Sequence, residues 1–219
     1  MKHASNLRRF TLVELLIVVG IIAVLAGLVL PAVIGGIQQG RITQAKSDLA
    51  AIMMALKGVE GAYGKMVKLT SGSNYTFNGK SVTAASNVIT LGGSSNLDAY
   101  DAFIAELCVP GNSGLTGLNI NARKIKFLEP RASFDPSAAY TTAANTAQLW
   151  RDPWGTPYKL LINVTGADSI TVGSKTLAAK AAGYSFGPNG TDDGGCNANL
   201  ETCIGSGTHK LHDDVTSWD

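Results

Sequence analysis

From Leu15 to Ile37 the chain runs for 23 residues without a charged side chain. An apolar run of about 18 residues or more, wound as a helix rising about 1.5 Å per residue, can cross a hydrocarbon layer roughly 30 Å thick. The run excludes a plain cytosolic globular protein. The apolar core of a secretory signal peptide is about 7–15 residues long and ends at an A-x-A-like site. This run is longer, and no A-x-A triplet occurs between Gly20 and Gly40. The segment is therefore expected to stay in the membrane as a single span. Lys2, Arg8 and Arg9 precede it, so the positive-inside rule puts the N-terminus in the cytoplasm and the rest of the chain outside.

Charge narrows the partners. The net charge of 219 residues is +2, and Lys2, Arg8 and Arg9 supply three positive charges, leaving the remainder at about −1. No basic face of any size remains for a nucleic acid. Three cysteines are too few for a disulfide scaffold. The residues beyond Ile37 suffice for one modest core.

Beyond the span the apolar pattern becomes one-sided. Ile42, Ala45, Leu49, Ile52, Leu56, Val59 and Tyr63 recur at alternating steps of three and four, the seam of an amphipathic helix. Arg41, Lys46, Ser47, Asp48 and Lys57 fall off that seam. Two heptads are short for a coiled coil, so this half is expected to dock on the chain's own outer domain. Pro31 should bend the helix, and Gly20, Gly27, Gly35 and Gly36 allow close helix approach in the membrane. Glu14, flanked by Val13 and Leu15, is a carboxylate at the edge of a span. Either it has a function there or it snorkels to water.

The segment Phe10-Thr11-Leu12-Val13-Glu14-Leu15-Leu16-Ile17-Val18-Val19 resembles the N-terminus of type IV pilins and type II secretion pseudopilins. The resemblance covers residues 8–63. It implies that a prepilin peptidase cuts between Arg9 and Phe10 and methylates the new amine, although the family usually has Gly where this chain has Arg9. Glu14 and Pro31 fall on the family's fifth and twenty-second mature positions. The resemblance also implies that Glu14 of one subunit meets the Phe10 amine of its neighbour during assembly.

The outer domain reads as α+β. Asn74–Phe77 and Lys80–Thr83 flank Asn78-Gly79, a two-residue hairpin signal. Val88–Leu91 is a further strand, and Leu97, Tyr100, Ile104 and Leu107 give an amphipathic helix over about Asp98–Cys108. Cys108 falls near its apolar face and reads as a buried thiol. Residues 130–149 read as a loop. Asp152-Pro153-Trp154-Gly155-Thr156-Pro157-Tyr158 reads as a turn anchored by Trp154, and the stretch is similar to one in the major pseudopilins of type II secretion. Tyr158–Val164, Ser169–Val172 and Ala181–Phe186 are strands whose short connections favour an antiparallel sheet.

Residues 183–219 hold four competing chemistries. Gly183-Tyr184-Ser185-Phe186-Gly187 fits the G-x-S-x-G elbow of a serine hydrolase, but Pro188-Asn189-Gly190 follows where that elbow needs a helix. Cys196, Cys203, His209 and His212 could ligate zinc, at spacings unlike the usual fingers. Cys196 and Cys203 could instead form a disulfide, which a compartment outside the cytosol favours, or remain two free thiols. Ser185–Gly190 and Asp213–Trp218 resemble the two ends of the major pseudopilin's calcium loop, although the family usually has Asp where this chain has Asn189. That resemblance implies calcium held by Asp213, Asp214, Asp192, Asp193 and Asn189, oxygen donors of the kind the ion prefers.

The family resemblance thus implies a pilin fold. A cytoplasmic leader over 1–9 precedes a transmembrane half-helix over 10–37 and an amphipathic outer half over 38–63. A globular domain follows over 64–219, ending in a loop from 187. The implied role is a structural subunit, not an enzyme. It would be anchored in the inner membrane with its outer domain in the periplasm. It would polymerise with its own copies, other pseudopilins and an inner-membrane platform into a pseudopilus that drives folded proteins across the outer membrane. A subunit of a surface type IV pilus is the alternative within the family, and a membrane-anchored serine hydrolase is the alternative outside it.

Overall fold

The computed structural model describes residues 11–67, 74–77, 80–94, 96–108, 121, 123, 125–129, 150–173, 175–192, 194 and 214–218. Helix α1 spans Leu12–Tyr63, and the chain divides into two compact units after Arg41. In the first unit Pro31 does not end the helix. The helix is long and apolar enough to cross a membrane, with none of its most apolar window buried. Leu12, Leu16, Leu28 and Leu30 are each more than 60% exposed. Apolar surface on that extent needs lipid or other helices around it.

The second unit contains the rest of α1. Ala45, Leu49, Ile52, Leu56 and Val59 are fully or almost fully buried, with Ile42 and Tyr63 packed at the ends of the row. The three-four seam is thus the face that the outer domain covers. The helix ends where its seam ends. Gly64 takes φ +72°, and its N–H bonds the Glu60 carbonyl at 2.7 Å, a left-handed cap that glycine reaches without strain.

Strands β1 (Asn74–Phe77) and β2 (Lys80–Thr83) pair with Phe77 opposite Lys80. That register leaves room for a two-residue turn, whose members Asn78 and Gly79 lie outside the described residues. Strand β3 (Val88–Gly92) leads to helix α2 (Leu97–Cys108), which carries buried Tyr100, Phe103, Ile104 and Leu107. Cys108 is a buried free thiol, pushed up to about 12 chiefly by burial. Strands β4 (Lys159–Asn163), β5 (Ile170–Val172), β6 (Lys175–Leu177) and β7 (Ala181–Ser185) follow, then β8 (Val215–Thr216).

The main sheet has the order β3-β4-β7-β8 and is antiparallel throughout. Its alternation sorts side chains to two faces. Leu160 and Ile162 join Leu49, Ile52 and the α2 residues in one core. Leu161, Ala182 and Tyr184 join Ile170, Val172 and Leu177 of the separate β5-β6 hairpin in a second. The fold is therefore α+β, with an antiparallel sheet covered on both faces. Strand β8 lies within the stretch expected as loop, and β6 falls where no strand is expected. The expected loop over 130–149 lies outside the described residues.

Two glycines mark close approaches. A Cβ on Gly92, at φ +78°, would collide with the Tyr158 carbonyl oxygen. A Cβ on Gly183 would sit 3.0 Å from Leu160 and Met53 side-chain carbons and 3.2 Å from one of Leu49. The helix α1 seam therefore rests directly on the bare backbone of β7.

Candidate functional site

The first candidate is the start of α1. Thr11 precedes the first helical residue, and Glu14 lies three positions on. The Thr11 amide and hydroxyl donate to Glu14 Oε2 at 2.9 and 2.8 Å. The Glu14 amide donates back to Thr11 Oγ1 at 3.2 Å. This is a capping box: Thr-x-x-Glu ahead of an apolar run satisfies helix-end donors reciprocally. The signal was present in the sequence as Thr11-Leu12-Val13-Glu14 and went unread beside the charge of Glu14. Arg9 and Phe10, the two residues of the implied cleavage, lie outside the described residues.

The second candidate is the turn between Trp150 and Tyr158 with the strand end it meets. Asp152 Oδ1 accepts the amides of Trp154 and Thr156 at 3.0 and 2.7 Å. The Arg151 guanidinium donates to the Gly155 carbonyl at 2.6 Å. Trp154 packs partly buried on the main core, as its anchoring role requires. From the far side of the turn, Tyr158 donates to Asp48 Oδ2 at 2.7 Å. Burial and the Asp48 charge push that phenol far above its ordinary value. Asp48, off the apolar seam in the sequence, is thereby tied to the base of β4.

Ser185, the last residue of β7, meets this turn. It is fully buried; its hydroxyl donates to Asp152 Oδ2 at 2.5 Å and accepts the Gly187 amide at 3.1 Å. A turn at Gly187–Gly190 follows β7. Ser185 thus lacks both the exposure and the following helix that a nucleophile elbow needs. Its hydroxyl fastens the Asp152 turn to the sheet. His209 and His212, named above as possible zinc ligands, lie outside the described residues.

The third candidate is the loop after β7. Among the residues implied as calcium ligands, Asp193 and Asp213 lie outside the described residues, as do Cys196 and Cys203. Asn189 is exposed, and its Oδ1 accepts the Thr191 amide at 2.6 Å. Asp214 is 2% exposed at the entry to β8. Asp192 is occupied on both oxygens. Oδ2 receives the Lys159 ammonium at 2.6 Å, and Oδ1 receives the Tyr184 hydroxyl at 2.8 Å and the Gly194 amide at 3.1 Å. Burial would raise this carboxyl, but the Lys159 and Tyr184 bonds together hold it below its ordinary value. Burial and the Asp192 bond in turn push the Tyr184 phenol upward, with Asp214 adding to the effect. No group of three acidic, histidine or cysteine side chains suited to a metal occurs among the described residues. Of the described members of the implied donor set, Asp192 thus has both oxygens engaged by protein donors, and Asn189 has its Oδ1 engaged by the Thr191 amide.

The chain matches no protein-family model, no characterised protein and no solved structure.

Proposed function

We propose that the chain is a structural subunit of the pseudopilin kind. It is anchored by the first half of α1 and polymerises into a periplasmic fibre that drives folded proteins outward. The observation that carries this reading is the change of burial along α1. Its apolar first half is exposed over residues 12–30 and 33–37, whereas five seam residues of its second half lie in the core of an α+β domain. A subunit of this build can leave the bilayer only if other helices replace lipid around residues 12–37. The capped carboxylate at Glu14 is then the one charge that helix bundle must accommodate, and a neighbour's Phe10 amine, freed by cleavage after Arg9, would be its partner.

The Asp152–Tyr158 turn and the buried Ser185 support a structural role in place of a hydrolytic one. Intact-mass analysis of membrane-derived protein, together with fibre recovery from Glu14→Ala cells, tests the reading. The expected result is a chain beginning at Phe10 and a variant that inserts normally but yields few or no fibres. A chain beginning at Met1 in assembled fibres, or wild-type fibre yield from Glu14→Ala, would overturn it. Long surface filaments would instead favour the surface-pilus form of the same architecture.

A further inference from the structure

Lys159 and Tyr184 face each other across the β4-β7 pair, so the sheet register fixes their separation. The Lys159 ammonium lies 5.3 Å from the centre of the Tyr184 ring, within cation–π range, and forms the 2.6 Å ion pair with Asp192. Its side chain is 21% exposed and that of Asp192 31%. The Tyr184 hydroxyl and the Gly194 amide complete the coordination of the same carboxylate. One residue of the loop is thereby held by two strands and by its own backbone. The loop also runs close to the β5-β6 turn, where a Cβ on Gly173 would come within 2.8 Å of the Gly194 carbonyl oxygen.

A calcium ion binds carboxylate oxygens at about 2.3–2.6 Å. At Asp192 it would have to displace the hydroxyl and amide donors or sit beside the ammonium against like-charge repulsion. We infer that the Lys159 ammonium is the cation that fastens loop 187–194 to the sheet, in place of the divalent ion that the resemblance implies at Asp192, and that this loop closes without calcium. A covalently attached cation cannot be lost by dilution, so the outer domain keeps this loop whatever the calcium concentration around it. The inference concerns the folded outer domain and is independent of fibre formation.

The test is amide exchange at Gly194, with thermal melting, on the full chain in detergent micelles. It is run in EDTA and in excess CaCl₂. The expected result is identical Gly194 protection and an identical midpoint in both. Lys159→Met should speed Gly194 exchange roughly tenfold or more, the effect of removing a charged hydrogen-bond partner, and Lys159→Arg should restore most of the protection. If Lys159→Met does not fold, Asp192→Asn keeps the side-chain shape while removing the charge, and it should accelerate exchange equally in EDTA and in calcium. The inference is overturned if wild-type protection or the midpoint falls in EDTA and recovers with calcium. Wild-type protection in Lys159→Met, or in Asp192→Asn, also overturns it.

Discussion

Thr11 gives the Glu14 carboxylate two hydrogen bonds, one from its amide and one from its hydroxyl. A carboxylate at the edge of an apolar run is costly unless its oxygens are satisfied, and Thr11 satisfies one of them within the chain itself. Loss of a Thr cap costs about 0.5–2 kcal/mol of helix stability. Thr11→Ala should therefore fray the first turn, read as faster amide exchange over residues 12–15 in micelles, while Thr11→Ser should behave as wild type. Equal exchange in all three proteins would show that the capping box does not hold in the membrane. Glu14 stood out in the sequence because a charge in an apolar run is conspicuous. Lys159 did not, because its partner Asp192 lies 33 positions away and no local pattern joins them.

Glu106 is a second residue that sequence alone left unread. It sits on α2 at 5% exposure, and burial raises its carboxyl from 4.5 to about 7, against the opposing hydrogen bond from the Asn121 backbone. The folded chain therefore holds this proton more tightly than the unfolded chain. The stabilising contribution is complete below about pH 4.5 and is lost as pH rises through about 7. At 1.36 kcal/mol per pH unit the difference is on the order of 3 kcal/mol. Urea midpoints between about pH 5 and 8 should fall with pH in the wild type, and this component should disappear in Glu106→Gln. An unchanged slope in the variant would assign the pH dependence to other groups.

Among the elements, the outer half of α1 was the most legible, because seven apolar residues at three-four spacing define one face and that face is buried from Ala45 to Val59. The ends of β1, β2 and α2 also fall within about one residue of expectation, since hairpin and helix signals are local. Strands β6 and β8 have three and two residues, too short for alternation to register. Gly173-Ser174 between β5 and β6 was a readable hairpin signal. Strand β8 owes its existence to pairing of Val215 and Thr216 with Ser185 and Tyr184, a contact that no window of sequence contains. The helix–sheet contact at Gly183 yields a graded prediction. Alanine there needs only side-chain ends of Leu160, Met53 and Leu49 to give by a few tenths of an ångström, whereas valine must push α1 off β7. Gly183→Ala should cost about 1–2 kcal/mol and Gly183→Val 3 kcal/mol or more in denaturant unfolding. Equal costs would mean that the helix yields freely at this contact.

For the chain as a whole, the burial pattern separates the exposed apolar half of α1 from the residues that fold the outer domain. Residues 12–30 and 33–37 are exposed, and none of them belongs to the outer domain's two cores. Leu49, Ile52, Leu56 and Val59, by contrast, lie at the centre of the larger core at 0% exposure. Each such side chain is worth about 1.5–3 kcal/mol on burial, an upper estimate because unfolded chains are not fully extended. Their sum of roughly 6–12 kcal/mol is comparable with the 5–15 kcal/mol net stability of a whole domain. Two truncations should therefore behave oppositely. A chain starting at residue 38 discards the exposed apolar half and keeps the seam, and it should be recovered without detergent with a cooperative thermal transition. A chain starting at residue 64 keeps every strand but uncovers Gly183, Leu160 and the rest of that face, and it should aggregate or lack near-ultraviolet circular dichroism from its buried tyrosines. A cooperative transition in the shorter fragment would show that the sheet and α2 suffice for the core and that the outer half of α1 is dispensable to it.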